Sequence, residues 1–99
     1  MTPYTPPTND TEKIIIESWQ TFLGIEQIGI HDNFLELGGH SLLATQIISR
    51  LRQKFRIHLP LALLLMSPTV AELAVAIEMT IIEELEQLPD ELVSSEVGQ

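Results

Sequence analysis

The sequence contains no cysteine. A disulfide framework and thiolate chemistry from the chain's own side chains are therefore excluded. Any thiol chemistry has to arrive with a cofactor. Basic residues are nearly as scarce, with five Lys and Arg against 14 Asp and Glu and a net charge of −9. Four of the five, Arg50, Arg52, Lys54 and Arg56, fall within seven positions. A nucleic-acid binder needs a broader basic surface to offset phosphate repulsion, so that class is set aside. The cluster reads instead as the solvated C-terminal end of a helix, where cations meet the negative end of the dipole. No apolar run approaches the ~20 residues that span a bilayer. Residues 1–11 hold three prolines and no basic stretch of the signal-peptide kind. The expectation is a soluble, cytoplasmic, monomeric protein with no membrane or nucleic-acid partner, its acidic surface repelling a second copy.

Aromatic residues make up only 5% of the 99 residues, but hydrophobic residues reach 44%. That suits one small domain with a single, mostly aliphatic core. Residues 1–10 are rich in proline, which removes donors and favours extended backbone, and they read as a linker or a disordered terminus. Asn9 and Thr11 are candidate caps for a first helix, and Asn9 with Glu12 has the capping-box spacing. The pattern then runs to about Leu23 and stops at Gly24. Ile15, Trp19 and Phe22 share one arc of that helix, flanked by Ile16 and Leu23, and Trp19 reads as a core residue.

Residues 24–40 form a long connection, uncommon without a function. Ile28, Ile30, Phe34 and Leu37 are its expected anchors. Asp32 and Asn33 are turn formers. An EF-hand is excluded, because the glycine falls at the seventh position and the alternation of ligands is absent. The connection ends in Gly38-Gly39-His40-Ser41. A glycine pair is disfavoured in a helix interior, and Ala44, Ile47, Ile48, Leu51 and Phe55 follow at helical spacing. A second helix is thus expected from about Ser41 to Phe55, with Ser41 as a favourable cap. The free amides and dipole at that end favour a phosphate on, or docked against, the hydroxyl. Leu42 falls opposite the core face, beside Gln46, Ser49 and Gln53. Such a leucine is either an incidental exposure or a contact for partners.

Pro60 suits the first position of a short third helix, Leu61 to Met66, which is apolar on every side and so has to leave part of its surface exposed. Met66 either fills a core gap or offers an adaptable contact. Thr69 and Glu72 repeat the capping-box spacing ahead of Val70, Leu73, Ala74 and Ile77. This fourth helix is secure to about Met79. Its continuation through Ile81 and Leu85 puts Glu84 on the core face, so an extension is expected to project beyond the bundle until Pro89. Residues 90–99 read as an acidic tail or outgoing linker.

The string Asp32-Asn33-Phe34-Leu35-Glu36-Leu37-Gly38-Gly39-His40-Ser41-Leu42-Leu43 resembles the phosphopantetheine attachment motif of carrier proteins. It is most similar to peptidyl (thiolation) carrier domains of nonribosomal peptide synthetases, over roughly Thr11 to Glu78. The resemblance implies an all-α bundle of three main helices and one short one, with a carrier domain over 11–79 between a linker and an 80–99 extension and tail. It implies 4′-phosphopantetheine on Ser41, flanked by Gly39 and His40, with aminoacyl or peptidyl groups held as thioesters. Residues 1–10 also resemble the segment between an adenylation domain and its carrier. Implied partners are a phosphopantetheinyl transferase using coenzyme A, and adenylation, condensation and releasing (thioesterase) domains, met through a surface containing Leu42, Gln46 and Met66. Leu35, Leu65 and Met66 depart from the family's usual residues, which bears on partner preference and not on attachment. The resemblance implies a non-catalytic domain.

Three other functions compete. One is an acyl carrier of a polyketide or hybrid line. Another is an unmodified helical interaction module, which leaves the glycine pair and Ser41 unexplained. The third is a hydrolase with Ser41 as nucleophile. That lacks the glycine two residues on, a preceding strand and a triad pattern among His31, His40 and His58. The histidines do not show zinc spacing either.

Overall fold

The computed structural model describes residues 3–87, and over these the chain forms four α-helices. They are α1 (Asp10–Leu23), α2 (Ser41–Phe55), α3 (Leu61–Met66) and α4 (Val70–Glu86). The helix α1 packs against α2 and α4, and the short α3 bridges α2 to α4. The expected segment 90–99 and Pro89 lie outside the described residues.

Each long helix starts where the sequence offers an acceptor or a turn. Asn9 Oδ1 accepts from the Glu12 amide at 2.8 Å, and Glu12 reaches back to the Thr8 amide at 2.7 Å and the Thr8 hydroxyl at 2.6 Å. This reciprocal arrangement buries a glutamate at the start of α1. The segment ahead of it is tied to the fold, since the Thr5 carbonyl accepts from Ile30 N at 2.9 Å. The Thr69 hydroxyl caps α4 by accepting from Glu72 N at 3.2 Å, and donates to the Glu72 carboxylate at 2.8 Å.

The core is aliphatic apart from two aromatics. Trp19 and Phe34 meet edge-on, with ring centroids 5.6 Å apart and planes at 60°. Around them lie Ile15, Ile47, Ile48, Leu51, Leu64, Leu73 and Ile77, all buried. Trp19 is therefore a core residue, although its Nε1 has no hydrogen-bond partner among the described residues. Ile28, Ile30 and Phe34 anchor the long connection as expected, whereas Leu37 is half-buried. Phe55, in the last turn of α2, is likewise only half-buried and lines an open groove with Ile57 and Ile81.

The expectation that the α4 extension stands clear of the bundle is corrected through Ile81 and Glu84. Ile81 packs against the core. Glu84 falls on the inward side of the helix, as the periodicity requires, but meets the turn after α2. Its carboxylate accepts from His58 N at 3.2 Å and lies 3.2 Å from His58 Nδ1. A polar partner there removes the conflict that the hydrophobic pattern raised. At the same end of α2, Arg52 Nε donates to the Leu59 carbonyl at 2.7 Å, fixing the turn that leads to Pro60.

Candidate functional site

The connection between α1 and α2 is held by the Asn33 side chain, by backbone bonds within the loop and to the start of α4, and by the Phe34 ring. Asn33 Oδ1 accepts from Leu35 N at 2.9 Å and Glu36 N at 3.2 Å, the usual way an Asx side chain closes a turn. Phe34 N donates to the Pro68 carbonyl at 2.7 Å, and Gly39 N donates to the Phe34 carbonyl at 2.9 Å. Asn33 and Thr69 form an isolated bridge. Ala71 N, in the first turn of α4, donates to the Ile30 carbonyl at 2.9 Å. The loop is therefore fastened at several points to the start of α4.

The two glycines serve different ends. Gly38 has a φ of 97°, a backbone region costly for side chains with a Cβ. Gly39 lies against the Phe34 ring, and a Cβ there would come within 2.6 Å of Phe34 Cδ2. Gly39→Ala is expected to displace either the ring or the start of α2, at a cost of about 1–3 kcal/mol. Urea denaturation followed by Trp19 fluorescence checks this. An unchanged midpoint would show that the approach is not limiting.

His40 then takes extended backbone at the N-cap and Ser41 is the first helical residue. This corrects the expectation that Ser41 itself caps α2. The Phe34–Gly39 contact and the extended His40 set the start of the helix one residue earlier than a cap serine would need. His40 makes no side-chain capping bond, and the first turn holds no acidic residue. The long helices α1 and α4, by contrast, have side-chain acceptors at their first turns and carry Asp10 and Glu12, and Glu72, there. Among the long helices, α2 is thus the one whose N-terminal amides remain free for an anion.

Ser41 is exposed, with its carbonyl accepting from the Thr45 hydroxyl at 2.9 Å. Among the described residues no base lies in hydrogen-bond contact with the Ser41 hydroxyl. Leu42 is 63% exposed beside it, and Gln46 is exposed one turn on. In α3, Leu64 is buried while Leu65 and Met66 face solvent, Met66 at 78% exposure. The choice left open for Met66 falls to the surface. The structure thus leaves Leu42, Gln46 and Met66 all accessible. What sequence reasoning missed is Phe34, which it counted as one anchor among four. Its ring beside the glycine pair was not signalled, because a contact across five residues of irregular backbone follows no period.

The site fits a phosphodiester: an exposed hydroxyl at the first turn, open amides behind it, and no carboxylate in that turn. The family model described as "Phosphopantetheine attachment site" matches residues 13–77. The chain belongs to that family. Its carrier domain is 46% identical over 80 residues to tyrocidine synthase 3 of Brevibacillus parabrevis, covering 81% of this chain and 1% of the relative. The chain spans about a hundredth of that relative's length. Among solved structures, the carrier domain resembles a complex of the phosphopantetheine transferase Sfp with coenzyme A and a peptidyl carrier protein. The TM-score is 0.74 and the identity 37%, over 77% of this chain and 99% of that one. It also resembles a docking-domain complex of the Pax nonribosomal peptide synthetase (TM-score 0.80, 32% identity, 100% of this chain and 93% of that one). The expected four-helix fold and the peptidyl carrier family both hold. No described helix is long and apolar enough to cross a membrane.

Proposed function

We propose that Ser41 is the attachment point of 4′-phosphopantetheine, and that the domain carries aminoacyl or peptidyl thioesters on it between the catalytic domains of a peptide synthetase. The supporting observation is the exposed Ser41 hydroxyl at the one long-helix N-terminus with free amides. When attached, the arm supplies the thiol that this cysteine-free chain lacks. The Ser41 oxygen forms a bond to the phosphorus nearer the pantetheine in coenzyme A. The pyrophosphate bridge breaks and the adenosine bisphosphate leaves. The serine proton passes to a base of the transferase, since the domain has none in place. The role of the fold is to present the hydroxyl, hold its flanks and accept the new negative charge. The domain is itself non-catalytic in this reading.

The partners follow from the arm: a phosphopantetheinyl transferase to attach it, an adenylation domain to load it, and condensation and thioesterase domains to unload it. Tethering raises the local concentration of the intermediate at successive active sites. The exposed Leu42, Gln46 and Met66 suit weak, exchangeable contacts. Intact-mass measurement after incubation with coenzyme A and a broad-specificity transferase tests attachment. A gain of one phosphopantetheine is expected, and no gain in a folded sample overturns the proposal. Leu42→Asp is expected to leave the helix intact, because an acidic residue is tolerated in a first turn. It should lower kcat/KM with the transferase or a condensation domain by roughly 10-fold, the scale of an interface anchor. Unchanged rates with transferase, adenylation and condensation partners would remove Leu42 from the contact surface.

A further inference from the structure

The helix α4 carries a second apolar face that the core does not use. Val70, Leu73, Ala74 and Ile77 are buried. Val75, Met79 and Ile82 are each more than half exposed. At ~100° per residue these three lie within about 60° of one another, on the side away from the core. They follow the i, i+4, i+7 spacing by which one helix meets another segment. Leu85, also more than half exposed, extends the stripe toward an open groove lined by Phe55, Ile57 and Ile81, with Arg56 and Glu84 at its edge. This face is separate from Leu42 and Met66, which belong to α2 and α3.

The charge around the stripe distinguishes its possible occupants. Glu72, Glu78, Glu83 and Glu86 are exposed on α4, and the helix contains no Lys or Arg. A second copy would set these carboxylates against their like. Residues 88–99 carry Asp90, Glu91 and Glu96 and no basic residue, so the chain's own terminus is repelled as well. An anionic membrane is disfavoured on the same ground, since interfacial helices rely on a basic polar face. We infer that the outer face of α4 docks a basic amphipathic segment of another polypeptide, whose apolar side covers Val75, Met79 and Ile82 while its lysines or arginines meet the flanking glutamates. Three side chains over roughly 10 Å of helix make a small patch, so the contact is weak, salt-sensitive and exchangeable. It requires nothing of Ser41, and its failure would leave the attachment proposal standing.

The test is amide NMR of the full chain, titrated at low salt with a synthetic helical peptide having leucines on one face and lysines on the other. A counterpart with glutamate for lysine serves as control. Expected are shift changes centred on Val75, Met79 and Ile82, no binding of the glutamate peptide, and a Kd raised at least roughly 10-fold by Val75→Ser/Met79→Ser/Ile82→Ser, in line with loss of an apolar anchor. Glu78→Lys/Glu86→Lys keeps the apolar face and should weaken binding comparably, which guards against a triple variant that fails to fold. Shifts centred on Leu42 and Met66, equal binding of the glutamate peptide, no binding at all, or self-association in sedimentation would each overturn the inference.

Discussion

Ser41→Ala is expected to take up no phosphopantetheine under conditions that convert the unaltered chain completely. The effect is all-or-none because the substitution deletes the atom that bonds to phosphorus. The nearest helical hydroxyl, on Thr45, lies one turn on and donates to the Ser41 carbonyl at 2.9 Å. It sits beyond the free amides of the first turn and does not replace Ser41. The fold should tolerate the change. Ser41 is exposed, and the cap position belongs to His40, so stability should stay within about 0.5 kcal/mol. Mass spectrometry and a urea melt on the same sample separate the two effects. Uptake by the alanine variant would place attachment on another hydroxyl.

The second large effect falls on a residue that touches no arm. Phe34→Ala should cost about 3–5 kcal/mol, the range for deleting a buried aromatic. Small domains have about 5–15 kcal/mol in total, so the variant should be partly unfolded at modest urea. The Phe34 side chain is fully buried, meets Trp19 edge-on and covers Gly39. Its removal opens a cavity and frees the loop that leads to Ser41. Modification by the transferase should slow even where the fold survives. Phe34→Leu should recover most of the stability, and combined with Gly39→Ala it should cost less than the two singles added, because the clash partner is smaller. Strict additivity would show that the ring and the glycine act independently.

Much of the fold was legible because helix ends carry local chemistry. Asn9 with Glu12, Thr69 with Glu72, Gly24 and Pro60 each act within a few residues, and each marks an observed boundary. The family was legible through the resemblance of the string around Ser41 to the phosphopantetheine attachment motif, and the family model matches residues 13–77. The rest depended on contacts that no local pattern records. Ser41 lost the cap position because Phe34, well back in the loop, fixes where Gly39 lies. Glu84 looked misplaced on a core face until His58, 26 residues away, supplied its partner. Met66 left two readings open in the sequence because an all-apolar turn and a half has no periodicity to say which side is outward.

The ties between the long loop and the start of α4 also have a mechanical meaning. With Ile30 bonded to Ala71 and Phe34 to Pro68, the backbone from Ile30 through α2 and α3 to Ala71 is a closed circuit. Those two bonds act as clasps on the circuit that contains Ser41. The helix α1 and the outer turns of α4 lie outside this circuit along the chain, although α1 packs against α2. Tension entering from the chain ends would reach the serine only by first breaking the clasps. Pulling on the two chain ends should therefore leave the backbone around Ser41 unextended until the clasps break.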